Sequence, residues 1–318
     1  MPNKIIIDTD PGIDDAMALL FAARAPQIDL VGITTTFGNA LIDQTTRNAH
    51  YLNERFDLGA PVHTGAARPL FADLDPPADF VHGSDGLGQA GLVIPDVAGD
   101  AGDGVQFLID QLRAHPGEIT VVAIGRLTNL ALALARAPDI VDLVKSVVIM
   151  GGALGRGGFG GNVTPVAEAN VIGDPHAADR VLRAAWPVVM VGLDVTMQTV
   201  MMQGLVEDLR DNGGETGEFI YAITRFYQKF YKDNHGLEGF AVHDSSAVAY
   251  LLAPDLFKTE AGGLRVMTEG LAYGQTVLAP AGKTYPIPGW QDLQEQHACV
   301  DVRADAVLDL IMTTLLDA

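Results

Sequence analysis

The 318-residue chain has a single cysteine, Cys299. No disulfide framework can form within one chain, so a reducing compartment, the cytoplasm, is expected. Basic residues are scarce: 20 Lys and Arg stand against 40 Asp and Glu, for a net charge of -20. Such a surface repels phosphate backbones, which argues against a nucleic-acid partner and mildly against polyanionic substrates. No apolar run approaches the ~18 residues of a membrane span, so no membrane partner is expected. Met1-Pro2-Asn3-Lys4 leads straight into Ile5-Ile6-Ile7, without the longer apolar region and small-residue cleavage site of a signal peptide. Internal repeats, linkers and low-complexity tracts are absent too. What is present is a 48% hydrophobic content, enough to bury a large core without staples. One domain over 1–318 is the expected organisation.

Short β-branched runs alternate with helical patterns through the first two thirds. Strands are expected at 4–8, 30–36, 61–64, 118–124, 146–150 and 188–193. Between them, apolar residues at helical spacing predict helices over 13–24, 42–55 and 128–137. Continuous apolar strands separated by helices indicate an α/β fold, a mainly parallel Rossmann-like sheet with helices on both faces. The last third reads as more helical, with helices over 217–232, 243–253 and 307–316. Late strands at 264–267 and 275–279 suggest an antiparallel edge. Phe219, Ile223, Phe226 and Phe230 form the apolar stripe of the first of these helices, with Tyr227 and Tyr231 beside it. The glycine-rich stretch 151–161 directly follows a strand. Ligands in open α/β sheets sit beyond the carboxyl ends of strands, so it is expected to be a mobile active-site loop.

The chemistry concentrates in Asp8-Thr9-Asp10-Pro11-Gly12-Ile13-Asp14-Asp15, where strand one passes into helix one. Acidic residues are favourable in a first helical turn, which could account for Asp14 and Asp15. It does not account for Asp10, nor for Asp8 at the end of an apolar strand. Crowded carboxylates repel one another unless protons or a cation intervene, and oxygen ligands suit Ca²⁺ or Mg²⁺. An EF-hand loop starting at Asp8 would need Glu at its twelfth position and finds Leu19. A haloacid-dehalogenase-like phosphatase also begins with an apolar strand ending in Asp-x-Asp, and it stays open as an alternative. It leaves Asp14-Asp15 unexplained, and it needs a phosphate-binding Lys in a Lys-poor chain.

Five further motifs accompany this cluster. They are Gly38-Asn39, His82-Gly83-Ser84-Asp85-Gly86-Leu87-Gly88, Leu127-Thr128-Asn129-Leu130-Ala131, Met150-Gly151-Gly152 with Asn162 through Asn170, and Ala241-Val242-His243-Asp244. In this order they resemble the inosine–uridine-preferring nucleoside hydrolase family, nearly end to end. The resemblance implies the nucleoside hydrolase fold and Ca²⁺-dependent cleavage of the N-glycosidic bond of ribonucleosides. It implies Asp10, Asp15, Asp244 and the carbonyl of Ile124 as calcium ligands. Asp14, Asn39, Met150, Asn162, Glu168 and Asn170 would hold the ribose. His82, Tyr227, Tyr231 and His243 would surround the base, and a homodimer or homotetramer is the assembly the family suggests. The chain departs from the pattern at Arg126, where many relatives have Pro or Gly, and at Ala169, which is aromatic in some.

N-glycosidic cleavage builds positive charge on the ribose in an oxocarbenium-like state. A metal lowers the pKa of a water, and Asp10 is placed to accept its proton. His243 is the candidate donor to the leaving base, although a helix N-terminus and a cation both disfavour imidazolium. Asp244 could instead be a plain N-cap. Glu168 and Asn170 would share a face only in an extended segment. Tyr227 and Tyr231 share a helix face and could be core residues rather than base-stacking ones. Asp8 has no direct role and is expected to support the site from behind. A non-catalytic module that binds calcium or nucleoside is the other alternative, disfavoured because every proposed catalytic position is filled.

Overall fold

Residues 2–96 and 102–316 are described by a computed structural model. Its strands follow from apolar runs with alternate residues committed to opposite faces. In β1 (Asn3–Thr9), Ile5 and Ile7 join one hydrophobic cluster and Ile6 the other. The same split recurs in β4 (Ile119–Ala123) and β5 (Ser146–Met150). Val122 and Val148 face the first cluster; Val121, Val147 and Ile149 face the second. Helices cover both faces. Ile13–Arg24, Ile42–Phe56, Gly214–His235, His243–Leu252 and Ala304–Leu316 pack on the first. Gly104–Ala114, Thr128–Arg136 and Pro175–Leu182 pack on the second. Each fully buried Leu, Ile or Phe in these layers contributes about 1.5–3 kcal/mol.

The remaining strands are β2 (Ile28–Thr35), β3 (Val62–Thr64), β6 (Val188–Val191), β7 (Val200–Met202), β8 (Gly239–Ala241), β9 (Phe257–Val266), β10 (Thr276–Pro280) and β11 (Glu295–Val302). Among the described residues the main sheet has nine strands in the order β10-β9-β11-β6-β5-β4-β1-β2-β3. Strands β1 to β6 and β11 run parallel within it, and β9 and β10 close the far edge antiparallel. A separate antiparallel pair joins β7 and β8. The run β3-β2-β1-β4-β5-β6 is the doubly wound order, and its strand order reverses between β1 and β4. That switch point opens a crevice at the strands' carboxyl ends. Among the described residues, no helix is long and apolar enough to cross a membrane.

Several elements differ from the sequence expectation, among them the helices Pro175–Leu182 and Gln203–Asn212 and the strands β7 and β8, none of them anticipated. The helix Gly104–Ala114 was not anticipated, although Val105, Leu108, Ile109 and Leu112 keep helical spacing and Asp103 caps it by accepting from the Val105 and Gln106 N–H groups. Strand β11 was also unanticipated. Its buried Gln296 interrupts any apolar reading, yet its amide satisfies Val188 N and the carbonyls of Leu182, Ala184 and Trp186. In Gly214–His235 the buried stripe runs through Phe219, Ile220, Ile223, Tyr227 and Tyr231, while Phe226 and Phe230 are half-buried. The tyrosines therefore lie in the stripe rather than beside it. A neighbouring wall of aromatic and polar groups takes the phenol rings more readily than a purely apolar core would.

Candidate active site

Strand β1 delivers Asp8 and Thr9, and the Asp10-Pro11-Gly12 turn starts the helix Ile13–Arg24, with Asp14 and Asp15 in its first turn. Asp8, Asp10, Asp14 and Asp15 are all buried. Asp15 ties the turn together. Its Oδ1 accepts from Thr9 Oγ1 at 2.5 Å and Asp10 N at 3.2 Å. Its Oδ2 accepts from Gly12 N at 3.0 Å and Asn39 Nδ2 at 2.8 Å. Asp8 stands one layer behind, where its Oδ1 accepts from Thr34 Oγ1 and Asn129 Nδ2. Burial pushes Asp8 up to about 7. Asn48 braces the turn by donating to the carbonyls of Pro11 and Asp85, joining it to the loop that carries His82.

Asp10 is 1% exposed, and its Oδ2 accepts the Asn39 N–H at 2.7 Å. A Cβ on Gly38 would lie 1.7 Å from that oxygen, so only glycine admits the close approach. Asp10 Oδ1 and Asp8 Oδ2 are buried without a hydrogen-bond partner among the described residues.

Helix His243–Leu252 brings Asp244 from the far end of the chain in its first turn. Asp14, Asp15 and Asp244 then each present a carboxylate oxygen within 4.8 Å of the others. Asp10 stands outside this triplet, although the Asp15 charge acts on Asp10 and the Asp10 charge on Asp244. Burial, and then the neighbouring carboxylates, hold Asp10, Asp14 and Asp244 above the usual carboxylate range; burial alone raises Asp15. Protons or a cation must relieve that repulsion. An all-oxygen donor set with an orphaned carboxylate oxygen alongside fits a hard divalent cation.

Of the residues expected on the ribose, Asp14 and Asn39 follow β1 and β2, while Met150, Glu168 and Asn170 gather beyond β4 and β5. Glu168 is the N-cap of the helix Ala169–Gly173, accepting from Asn170 N, Val171 N and Gly152 N. Glu168 and Asn170 thus meet at a helix start, not along an extended segment as the sequence suggested. The capping geometry bends the chain between them. Asn170 Nδ2 donates to the carbonyls of Ile124 at 2.9 Å and Met150 at 3.2 Å, linking the ends of two strands. Asn162 is exposed and accepts the Ala169 N–H at 3.0 Å. The loop 151–161 is anchored through its first half. Asp194 accepts from Leu154 N and Arg156 N, and Arg156 pairs with Glu260 at 2.7 Å. Residues beyond Gly157 form part of the cavity wall.

A cavity of about 360 Å³ opens here, and Asp14, Asn39, Asn170 and Asp244 line it. His82, Tyr227, Tyr231 and His243 line it as well. His82 stacks on Tyr227 with centroids 5.6 Å apart, and Tyr227 meets Tyr231 edge-on at 4.9 Å. Both nitrogens of His243 are engaged: Nε2 with Tyr231 OH at 2.6 Å and Nδ1 with Thr196 Oγ1 at 2.7 Å. Burial depresses His243 to about 4 and His82 to about 3. Both rings are therefore neutral near pH 7. His82 uses its bare Nδ1 to accept the Ile13 N–H.

Several functional neighbours carried no assigned role in the sequence reading. Thr34 and Asn129 hold Asp8, and Thr196 orients His243. Phe80, Phe230 and His235 extend the aromatic wall to the cavity mouth, where Phe80 is 72% exposed. Asn129 lay in a quoted motif and Phe230 in the expected apolar stripe; Thr34, Thr196 and Phe80 have no local signature, because their partners come from distant stretches of chain.

A family model described as inosine-uridine preferring nucleoside hydrolase matches residues 5–309. The chain is 38% identical over 321 residues to a probable uridine nucleosidase 2 of Arabidopsis thaliana, covering 99% of this chain and 98% of that one. It superimposes on a plant nucleoside hydrolase with a TM-score of 0.95 and 34% identity, covering 100% of both chains. A purine-preferring ribonucleoside hydrolase from Gardnerella vaginalis superimposes with a TM-score of 0.89 and 33% identity, over 99% of this chain and 98% of that one.

Proposed function

Because the chain belongs to the inosine-uridine preferring nucleoside hydrolase family, we propose that it cleaves ribonucleosides to free base and ribose with Ca²⁺ at the aspartate cluster. Hydrolysis of N-glycosyl bonds is the family's activity, and the phosphatase alternative is not favoured by that match. One observation carries the finer reading. Asp14, Asp15 and Asp244 converge, and Asp14 and Asp244 line the same cavity as His82, Tyr227, Tyr231 and His243.

Asp10, Asp15, Asp244 and the Ile124 carbonyl would hold the cation, and Asp14, which lines the cavity, would take a ribose hydroxyl. Bound there, the cation would lower the pKa of an adjacent water and grip the ribose diol. The protein's own groups do the rest. Asp10 Oδ1 is a free acceptor for the proton of that water. Asn39, Met150, Asn162, Glu168 and Asn170 fix the sugar against it, which is an orientation effect. The buried carboxylates stabilise positive charge as it develops on the ribose. His243 is neutral, so it serves the leaving base through the Tyr231 hydroxyl rather than as a resident imidazolium. His82 and Tyr227 stack on the base.

We take the catalytic unit as one domain over 1–318, working in the cytoplasm, which the single buried Cys299 suits. A homodimer or homotetramer is the proposed assembly. The deciding experiment is a nucleoside panel with uridine, cytidine, inosine and adenosine, read as release of base and ribose. Release of phosphate from nucleotides without nucleoside cleavage would overturn the reading, and binding without turnover would favour a non-catalytic module.

A further inference from the structure

The loop that supplies the Ile124 carbonyl also places a guanidinium beside the acidic cluster. Arg126 lies between β4 and the helix Thr128–Arg136, with its guanidinium carbon 4.8 Å from the centroid of the buried Phe37 ring. Phe37 precedes Gly38, whose backbone packs on Asp10 Oδ2. On its other side the guanidinium lies against Gly173, where a Cβ would come within 2.2 Å of Nε. A glycine there is what leaves room for the side chain. Arg126 Nη1 is buried and has no hydrogen-bond partner among the described residues. An arginine held only for packing normally satisfies its donors, because an unpaired buried donor is costly. Burial lowers the pKa of this guanidinium, and of the charges that offset the burial Asp10 comes first, followed by Asp75, Asp174 and Glu168.

We infer that Arg126 is a fixed counter-charge for the aspartate cluster, steadying it when no cation is bound and weakening Ca²⁺ affinity by repulsion. The inference rests on the reading that the cluster takes a divalent cation. Arg126 and a divalent ion at the cluster would both act on the Asp10 carboxylate. Their repulsion falls only as the inverse of distance inside a poorly screened site. Arg126 is not among the residues lining the cavity. It is therefore a positioning and tuning residue, acting through Asp10 rather than on substrate.

The test uses the full chain freed of metal and titrated calorimetrically with CaCl2 alone. Arg126→Met is expected to bind Ca²⁺ about tenfold more tightly than the parent, and Arg126→Lys to stay within about twofold of it. Metal-free Arg126→Met should also unfold at a lower temperature than the metal-free parent, with Ca²⁺ closing the gap. Damage to the loop would weaken binding, so tightening cannot come from misfolding. Arg126→Gln provides a second neutral variant if the methionine form does not fold. Parent-like or weaker affinity in the neutral variants, with a parent that binds Ca²⁺, overturns this inference alone. A parent that binds no Ca²⁺ overturns the metal reading and the inference with it.

Discussion

Asp10 is held by one oxygen and free at the other. The Asn39 N–H and the bare backbone of Gly38 fix Oδ2, which leaves Oδ1 buried and without a partner among the described residues. That asymmetry suits a group that must take a proton at one atom without losing its position. Asp10→Asn is nearly the same shape but a far weaker base, and we expect kcat to fall about 1000-fold. The same change removes one charge from a buried acidic cluster, so the metal-free variant should unfold at a temperature no lower than the parent's. Parent-level kcat in a folded Asp10→Asn protein would remove the base assignment. The cluster itself was readable because its aspartates fall within eight consecutive positions, Asp8 to Asp15. The support behind it was not, since Thr34 and Asn129 reach Asp8 from another strand and another helix.

The elements matter through where their ends fall. Strands β1, β2, β4 and β5 stop at the same level, and their following turns supply Asp10, Asn39, Ile124 and the loop after Met150. The turn after β2 tests how tightly this is set. Gly38→Ala would drive a methyl group into Asp10 Oδ2. A displacement of about 1 Å in a catalytic group can cost ~100-fold in rate. We expect kcat to fall by at least that factor while the far-ultraviolet circular dichroism stays unchanged. A fully active Gly38→Ala enzyme would show that the carboxylate has more freedom than the packing allows. Legibility at this scale followed patterning. The strands β1 and β5 and the helix Ile13–Arg24 keep uniform periods, and their expected bounds agree with the structure to within a residue or two. Strand β11 has a buried glutamine whose amide is satisfied only by neighbouring backbone, and no period within the strand reveals that.

At the scale of the whole molecule, the reversal of strand order between β1 and β4 brings the two ends of the chain's chemistry together. The aspartates follow β1, while Asp244 arrives on a helix packed against the first one. Several buried carboxylates so assembled make the empty site unfavourable, and a bound cation stabilises the folded state by mass action. Chelation is therefore expected to abolish turnover and lower the unfolding temperature, with both restored by added Ca²⁺. Undiminished turnover after exhaustive chelation would end the claim of metal dependence. Base preference belongs to this scale as well. The wall from His82 and Tyr227 through Tyr231, Phe230 and Phe80 is built from two separate stretches of chain.

From its residues alone, this protein was determined to be an acidic α/β chain with carboxylates crowded at Asp8 to Asp15 in a pattern that suits a hard cation, and six ordered motifs pointed to nucleoside hydrolysis. Those features are local: periodicity, turn residues and crowded carboxylates all act within a few positions. Only the tertiary structure decided that Asp14, Asp15 and Asp244 converge, that Asp10 keeps one orphan oxygen, and that Tyr231 and Thr196 pin a neutral His243. Proximity across the sheet, burial and the electrostatics they create depend on how distant segments pack, and no window of sequence contains them.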